Sequence, residues 1–195
     1  VTFHDHDVEV NGARVRYLEA GQGAPLLSLQ SGRQLTPGHG LLARRFRVLA
    51  FEVPADRSLA TIVQAVSTLG LDTFNLMATS SASGTALRLA LQAGARIPAV
   101  VLEAPAGDRD AELERRLPSL ATPTLVLCGT RGDGDATVRG RAWTALLPAG
   151  HLVFVYDATD AIGADRPEAF AEVVSDFLER REAFVISRTE TVIHP

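Results

Sequence analysis

Apolar and polar residues alternate with period two at the start of the chain. Further on, short unbroken apolar runs are separated by stripes of helical period. Val8, Val10, Val15 and Tyr17 are spaced by polar residues, with Asn11-Gly12 between the two runs. Alternation around an Asn-Gly pair predicts an antiparallel hairpin across DVEVNGARVRYLEAG. APLLSL, FRVLAFEVP, IPAVVLEAP, PTLVLCGT and HLVFVYDAT read as buried strands, because a strand covered on both faces is apolar throughout. SLATIVQAVSTLG has helical spacing, with Ser58 as its N-cap and Gly70 as its stop. LLARRF reads as the end of a helix, DAELERRLPSLA as a short polar helix and TVRGRAWTALLP as a helix. Residues 166–184 predict a long helix with Pro167 in its first turn, where a missing N–H costs little, and a stripe of Phe170, Val173, Val174 and Phe177. The tail, AFVISRTETVIHP, alternates weakly and is expected to be extended. This order predicts an α/β chain, doubly wound, with a mostly parallel sheet and an antiparallel N-terminal hairpin, in one domain over 1–195.

The centre of the pattern is TFNLMATSSASGTALRLALQAG, residues 73–94. Phe74, Leu76 and Met77 make a strand, and Ala86, Leu87, Leu89, Ala90 and Leu91 make the inner stripe of a helix. Between them the run Ala78-Thr79-Ser80-Ser81-Ala82-Ser83-Gly84 has almost no side-chain volume. A strand that turns directly into a helix needs small residues there, because the two backbones nearly touch.

Composition narrows the function classes. At 195 residues and 46% hydrophobic, the chain is long and apolar enough to bury a sizeable core. The net charge of −4 carries no basic footprint, so nucleic acid is not an expected partner. One cysteine, Cys128, excludes an internal disulfide and makes a metal cluster improbable; its place in PTLVLCG marks a buried strand residue. No apolar run reaches the length of a membrane span and no signal peptide is visible, so a cytoplasmic chain is expected, without a membrane partner. A homo-oligomer is compatible with the sequence. The HDH spacing of His4 and His6 could suggest metal, but a solvated, fraying terminus accounts for it better. No metal and no cofactor is expected.

The turn after Thr79 resembles the nucleophile elbow of the α/β-hydrolase superfamily, whose pattern is G-x-S-x-G. Here it reads A-T-S-S-A, with Ser80 in the nucleophile's place and Ala78 and Ala82 at the glycine positions. The resemblance extends over nearly the whole chain, towards esterases, epoxide hydrolases and haloperoxidases. RYLEAGQGAPLLSL is similar to their entry strands, RRFRVLAFEVPADRS to the strand that usually ends D-x-P-G-x-G-x-S, PTLVLCGTRGDGD to the strand that delivers the acid, and RPEAFAEVVSDFL to the last helix. The resemblance implies the α/β-hydrolase fold. Members often carry a helical cap after the strand matching VVLEAP; here residues 106–122 alone separate that strand from the next, so the cap is expected to be largely absent.

The family's chemistry needs a base to take the serine proton, normally a histidine held by a carboxylate. The resemblance places Ser80 as nucleophile. It offers Asp133, one position late in the GTRGDGD loop, as the acid. The histidine position, ahead of R-P-E-A-F, holds Asp160. A carboxylate near ~4 is a far weaker base than an imidazole near ~6.5. Ser80, Asp133 and Asp160 are therefore altered triad positions. The oxyanion side is expected from Ser31, Gly32 and Ser81, with Gln30-Ser31 where members have His-Gly; backbone N–H groups can serve there without regard to side chain. Of the other histidines, His39 is read as a loop residue on the active-site side, usually just solvated. His151 is expected at the far end of its strand, and His194 next to the C-terminus.

Two readings follow. In the first, the chain is a degenerate hydrolase homologue, non-catalytic or very weak, that binds a small ligand or a protein partner at the carboxyl ends of the strands. In the second, it is an active, carboxylesterase-like serine hydrolase using Ser80 with a rearranged base. Loss of the base removes most triad catalysis, which favours the first.

Overall fold

The computed structural model describes residues 1–195 except 31, 33–34, 54–57, 107–109, 132–134, 185–192 and 195. The alternating start folds as β1 (His4–Val10) and β2 (Ala13–Ala20), paired antiparallel from His4 against Glu19 to Val10 against Ala13. Asn11 and Gly12 both take positive φ, 51° and 78°, the geometry of a tight turn whose twist matches the strands. Val8, Val10 and Tyr17 face inward, and Tyr17 stacks on Phe51 with ring centroids 4.8 Å apart. His4 and His6 differ from the expectation of a frayed end: they are exposed strand residues, and the His6 ring stacks on Tyr17. Cross-strand pairing holds the segment because its partner strand is long enough to reach it.

The apolar runs form β3 (Pro25–Gln30), β4 (Arg47–Glu52), β5 (Asn75–Thr79), β6 (Val100–Glu103), β7 (Thr124–Gly129) and β8 (Gly150–Val155). Residues Ile193–His194 of the tail add a short β9. The sheet runs β1-β2-β4-β3-β5-β6-β7-β8-β9. β2 meets β4 antiparallel, and every pairing beyond it is parallel. Successive residues of the central strands serve opposite faces. Leu76 and Ala78 pack on one face with Val100, Leu102 and Val126, while Met77 packs on the other with Val101, Leu125 and Leu127.

The first face is covered by α2 (Leu59–Thr68), α3 (Ser83–Ala93), α4 (Ala111–Arg116) and α5 (Ala136–Thr144). The second is covered by α1 (Pro37–Leu42), α6 (Ile162–Asp165) and α7 (Pro167–Arg180). Ser58 caps α2, its hydroxyl accepting the Thr61 N–H at 3.4 Å. The stripe of α7 buries Phe170, Val173, Val174 and Phe177 as the spacing predicts. This helix ends at Arg180, short of the expected Phe184, because Arg181 turns to φ 52° and the chain continues as a single 3₁₀ turn. Among the described residues, no helix is long and apolar enough to cross a membrane.

The carboxyl edge of the sheet is tightly tied. Gly129 closes β7 against the turn that follows β8, where Arg131 N–H donates to Ala158 C=O at 2.8 Å and Asp157 N–H to Thr130 Oγ1 at 2.9 Å. A Cβ on Gly129 would lie 2.2 Å from the carbonyl oxygens of both Ala158 and Thr159. These are backbone atoms with nowhere to retreat. Gly129→Ala should therefore cost about 1–3 kcal/mol, read as a lower midpoint in urea unfolding. An unchanged midpoint would show that this turn yields freely.

Candidate functional site at the end of the central strands

β5 ends at Thr79 in extended conformation, and the next residue, Ser80, has φ 47°. A single 3₁₀ turn (Ser80–Ala82) then leads straight into α3. A non-glycine residue in the left-handed region costs on the order of 1–3 kcal/mol and is held only when its surroundings over-determine it. Here Ala78 and Ala82 are both buried, and the Ala106 N–H donates to the Ser80 carbonyl at 3.2 Å. The elbow thus forms with alanine at both positions where the family pattern has glycine. Ser80 itself is exposed.

Ser80 opens onto a cavity of about 280 Å³ at the carboxyl ends of the strands. Gln30 and Gly32 line it from the end of β3, and Thr36 and His39 from α1. Thr79 and Glu103 line it from the ends of β5 and β6, and Asp160 and Ala161 from the turn after β8. Ser81 lies next to Ser80 in the 3₁₀ turn. Ser31 and Asp133, expected in the oxyanion hole and as the acid, lie outside the described residues. A larger groove, about 900 Å³, lies at the opposite, amino-terminal edge of the sheet beside Ile97 and Pro123, remote from Ser80.

Asp160 lines the same cavity as Ser80. Its carboxylate is turned to Arg139 of α5, 3.3 Å away. Among the described residues, the Ser80 hydroxyl has no hydrogen-bond partner.

His39 corrects the reading of a solvated loop histidine. It belongs to α1 and is fully buried. Its Nδ1 accepts the Thr36 N–H at 3.2 Å and lies 2.8 Å from Thr36 Oγ1. The neutral ring therefore carries its proton on Nε2, which meets the Gln30 amide at 2.8 Å and Ser28 Oγ at 3.4 Å. The Gln30 atom at that distance is Nε2, so a proton on His39 Nε2 requires the amide turned about, with its oxygen to the ring. Burial depresses the imidazole to about 4, so at neutral pH the ring is uncharged and weakly basic. It closes the capping box of α1 and ties that helix to β3.

Glu103 is the residue that sequence reasoning passed over. It closes β6 directly across from Thr79 and is buried, with 3% exposed. Its Oε1 accepts the Gly163 N–H at 2.8 Å, linking β6 to α6. Burial pushes its carboxyl up to about 7, against the opposing pull of the Gly163 and Ile162 N–H groups. The available signal was one acidic residue at the end of the otherwise apolar run AVVLE. The remaining candidates fall away from the site. Cys128 is buried with its thiol pushed up to about 11, and is no nucleophile. His151 starts β8 at the far edge, against Phe177 and Phe184.

No protein-family model and no curated protein matches the sequence. Solved structures do. A predicted CIB-like hydrolase from Thermoplasma acidophilum superposes with a TM-score of 0.76 at 16% identity, over 92% of this chain and 99% of that one. CarC, a serine hydrolase involved in carbazole degradation, gives 0.79 at 17% identity, over 92% and 100%. The carboxylesterase CesB from Bacillus subtilis gives 0.78 at 14% identity, over 91% and 92%. The strand order, the parallel body with its antiparallel entry hairpin, the strained serine between β5 and α3 and this likeness agree: the chain has the α/β-hydrolase fold.

Proposed function

We propose that this chain binds a small ligand in the Ser80 cavity and hydrolyses esters very weakly or not at all. The observation that carries this reading is the engagement of Asp160 with Arg139, which leaves Ser80 Oγ without a base among the described residues. A serine hydroxyl attacks a carbonyl only as a neighbouring group removes its proton. His39, the imidazole that lines the same cavity, has little basicity and spends both ring nitrogens on Thr36, Gln30 and Ser28. A cavity of about 280 Å³ suits a small molecule or one end of a larger one.

One observation favours the second reading, an active serine hydrolase with a rearranged base. Ser80 keeps the strained backbone that exposes a nucleophile, although glycine would relieve it. The structural neighbours named as a serine hydrolase and a carboxylesterase add weight to that side. A fluorophosphonate probe separates the two. The wild-type chain should label no faster than Ser80→Ala. Rapid labelling mapped to Ser80 would establish the second reading in place of the first.

A further inference from the structure

We infer that the Ser80 cavity selects a small organic cation, an alkylammonium of a few carbons, with the Glu103 carboxylate as its counter-ion. The inference rests on the cavity being a ligand site, as proposed above. Two of its lining side chains, Glu103 and Asp160, are carboxyls, and none of the described lining residues is an arginine or lysine. Thr36, Thr79 and Ser80 add hydroxyl oxygens that can accept from an N–H.

The two carboxyls differ in what answers them. Asp160 is about half exposed and faces Arg139. Glu103 is buried, and among the described residues no arginine or histidine pairs with it. Its partners are two backbone N–H groups at the start of α6, those of Gly163 and Ile162. Peptide dipoles offset part of the cost of a buried carboxylate but supply no net charge. A bound ammonium supplies it. An anion would instead meet two carboxyls.

Among the described residues, the surroundings of Glu103 contain no cation that would do the same. β5 presents Thr79, and β7 presents the apolar Leu127. α1 presents His39, neutral above about pH 4. The turn after β8 presents Asp160 with Arg139 already on it, and the Asp165 carboxylate of α6 is held by the Thr159 N–H and hydroxyl. With Glu103 raised to about 7 by burial, a cation bound near neutral pH must expel a proton. Its affinity should then fall about tenfold per unit as the pH drops below that value.

Three ligands of one size test this: n-propylammonium, n-propanol and propionate, titrated into the whole chain and followed by NMR shifts of the cavity residues. At about pH 8, above the Glu103 value, n-propylammonium should bind at least tenfold tighter than the other two. Glu103→Gln, whose amide oxygen still accepts the Gly163 N–H, should lose that advantage and leave n-propanol unchanged. In the wild type alone, with no variant needed, the ammonium affinity should weaken from pH 7 downward. Equal or tighter binding of n-propanol or propionate would overturn the charge selection and leave the cavity a ligand site. An ammonium affinity untouched by Glu103→Gln and by pH would do the same. Failure of all three ligands to bind would overturn both the selection and the ligand-site reading.

Discussion

Asp160→His should create Ser80-dependent ester hydrolysis. The substitution puts an imidazole on the cavity that Ser80 shares, where the wild type has a carboxylate turned to Arg139. Positive charge beside an imidazole lowers its pKa and keeps it in the neutral, proton-accepting form at pH 7. Losing the base of a serine triad costs on the order of 10⁴ to 10⁶ in rate. Recovery should reach the low end of what a general base supplies, on the order of 10²-fold over wild type with p-nitrophenyl acetate. It is partial because the described carboxylates beside the new ring, Glu103 and Asp165, are already held by other groups. Adding Ser80→Ala should abolish the gain, and Asp160→Asn, which removes the ion pair with Arg139 without adding a base, should show none. Brisk turnover by the wild type, abolished by Ser80→Ala alone, would sink the weak-hydrolase reading.

The second large effect concerns stability against pH, where the two buried groups of the site pull in opposite directions. Glu103 goes from an ordinary 4.5 in the unfolded chain to about 7 in the folded one. Between those values the folded chain holds a proton that the unfolded chain has released, so this group's contribution falls as pH rises. His39 goes from 6.5 down to about 4. Between those values the unfolded chain holds the extra proton, so stability rises with pH. The contributions of these two groups should therefore nearly cancel from about pH 4.5 to 6.5. Glu103→Gln removes the falling component. Its stability relative to wild type should climb across pH 4.5 to 7 by on the order of 3 kcal/mol, from a shift of about two and a half units at 1.36 kcal/mol each. Urea midpoints taken at a series of pH values measure it. A difference between the two proteins that stays constant over that range would show that Glu103 ionises as it does in water.

The two buried groups, His39 and Glu103, also tie the cavity wall together through hydrogen bonds. His39 joins α1 to β3, and Glu103 joins β6 to α6. Gly163 packs between them: a Cβ there would lie 2.6 Å from Thr36 Oγ1. A charge at either residue would be expensive to bury unless something answers it. The wall is thus sensitive to pH and to what occupies the cavity.

Much of this protein is legible along the chain. Alternation and the Asn-Gly pair mark the hairpin, because a two-residue turn and period-two burial are local properties. Unbroken apolar runs between helical stripes mark a parallel body, because strands covered on both faces have no polar side to show. The small residues around Ser80 mark the elbow, because strand and helix meet there with no room for bulk. Other features depend on what the neighbours happen to be. His39 reads like any loop histidine until α1 buries it against β3, and burial, not identity, removes its basicity. Asp160 reads only as the residue in the histidine's place until Arg139, 21 residues upstream, is seen to hold it. Glu103 reads as one more charge at a strand end until α6, 60 residues downstream, closes over it. Local periodicity decides which residues go inside. Which buried polar groups meet, and how their pKa values move, is decided by long-range packing that no stretch of sequence contains.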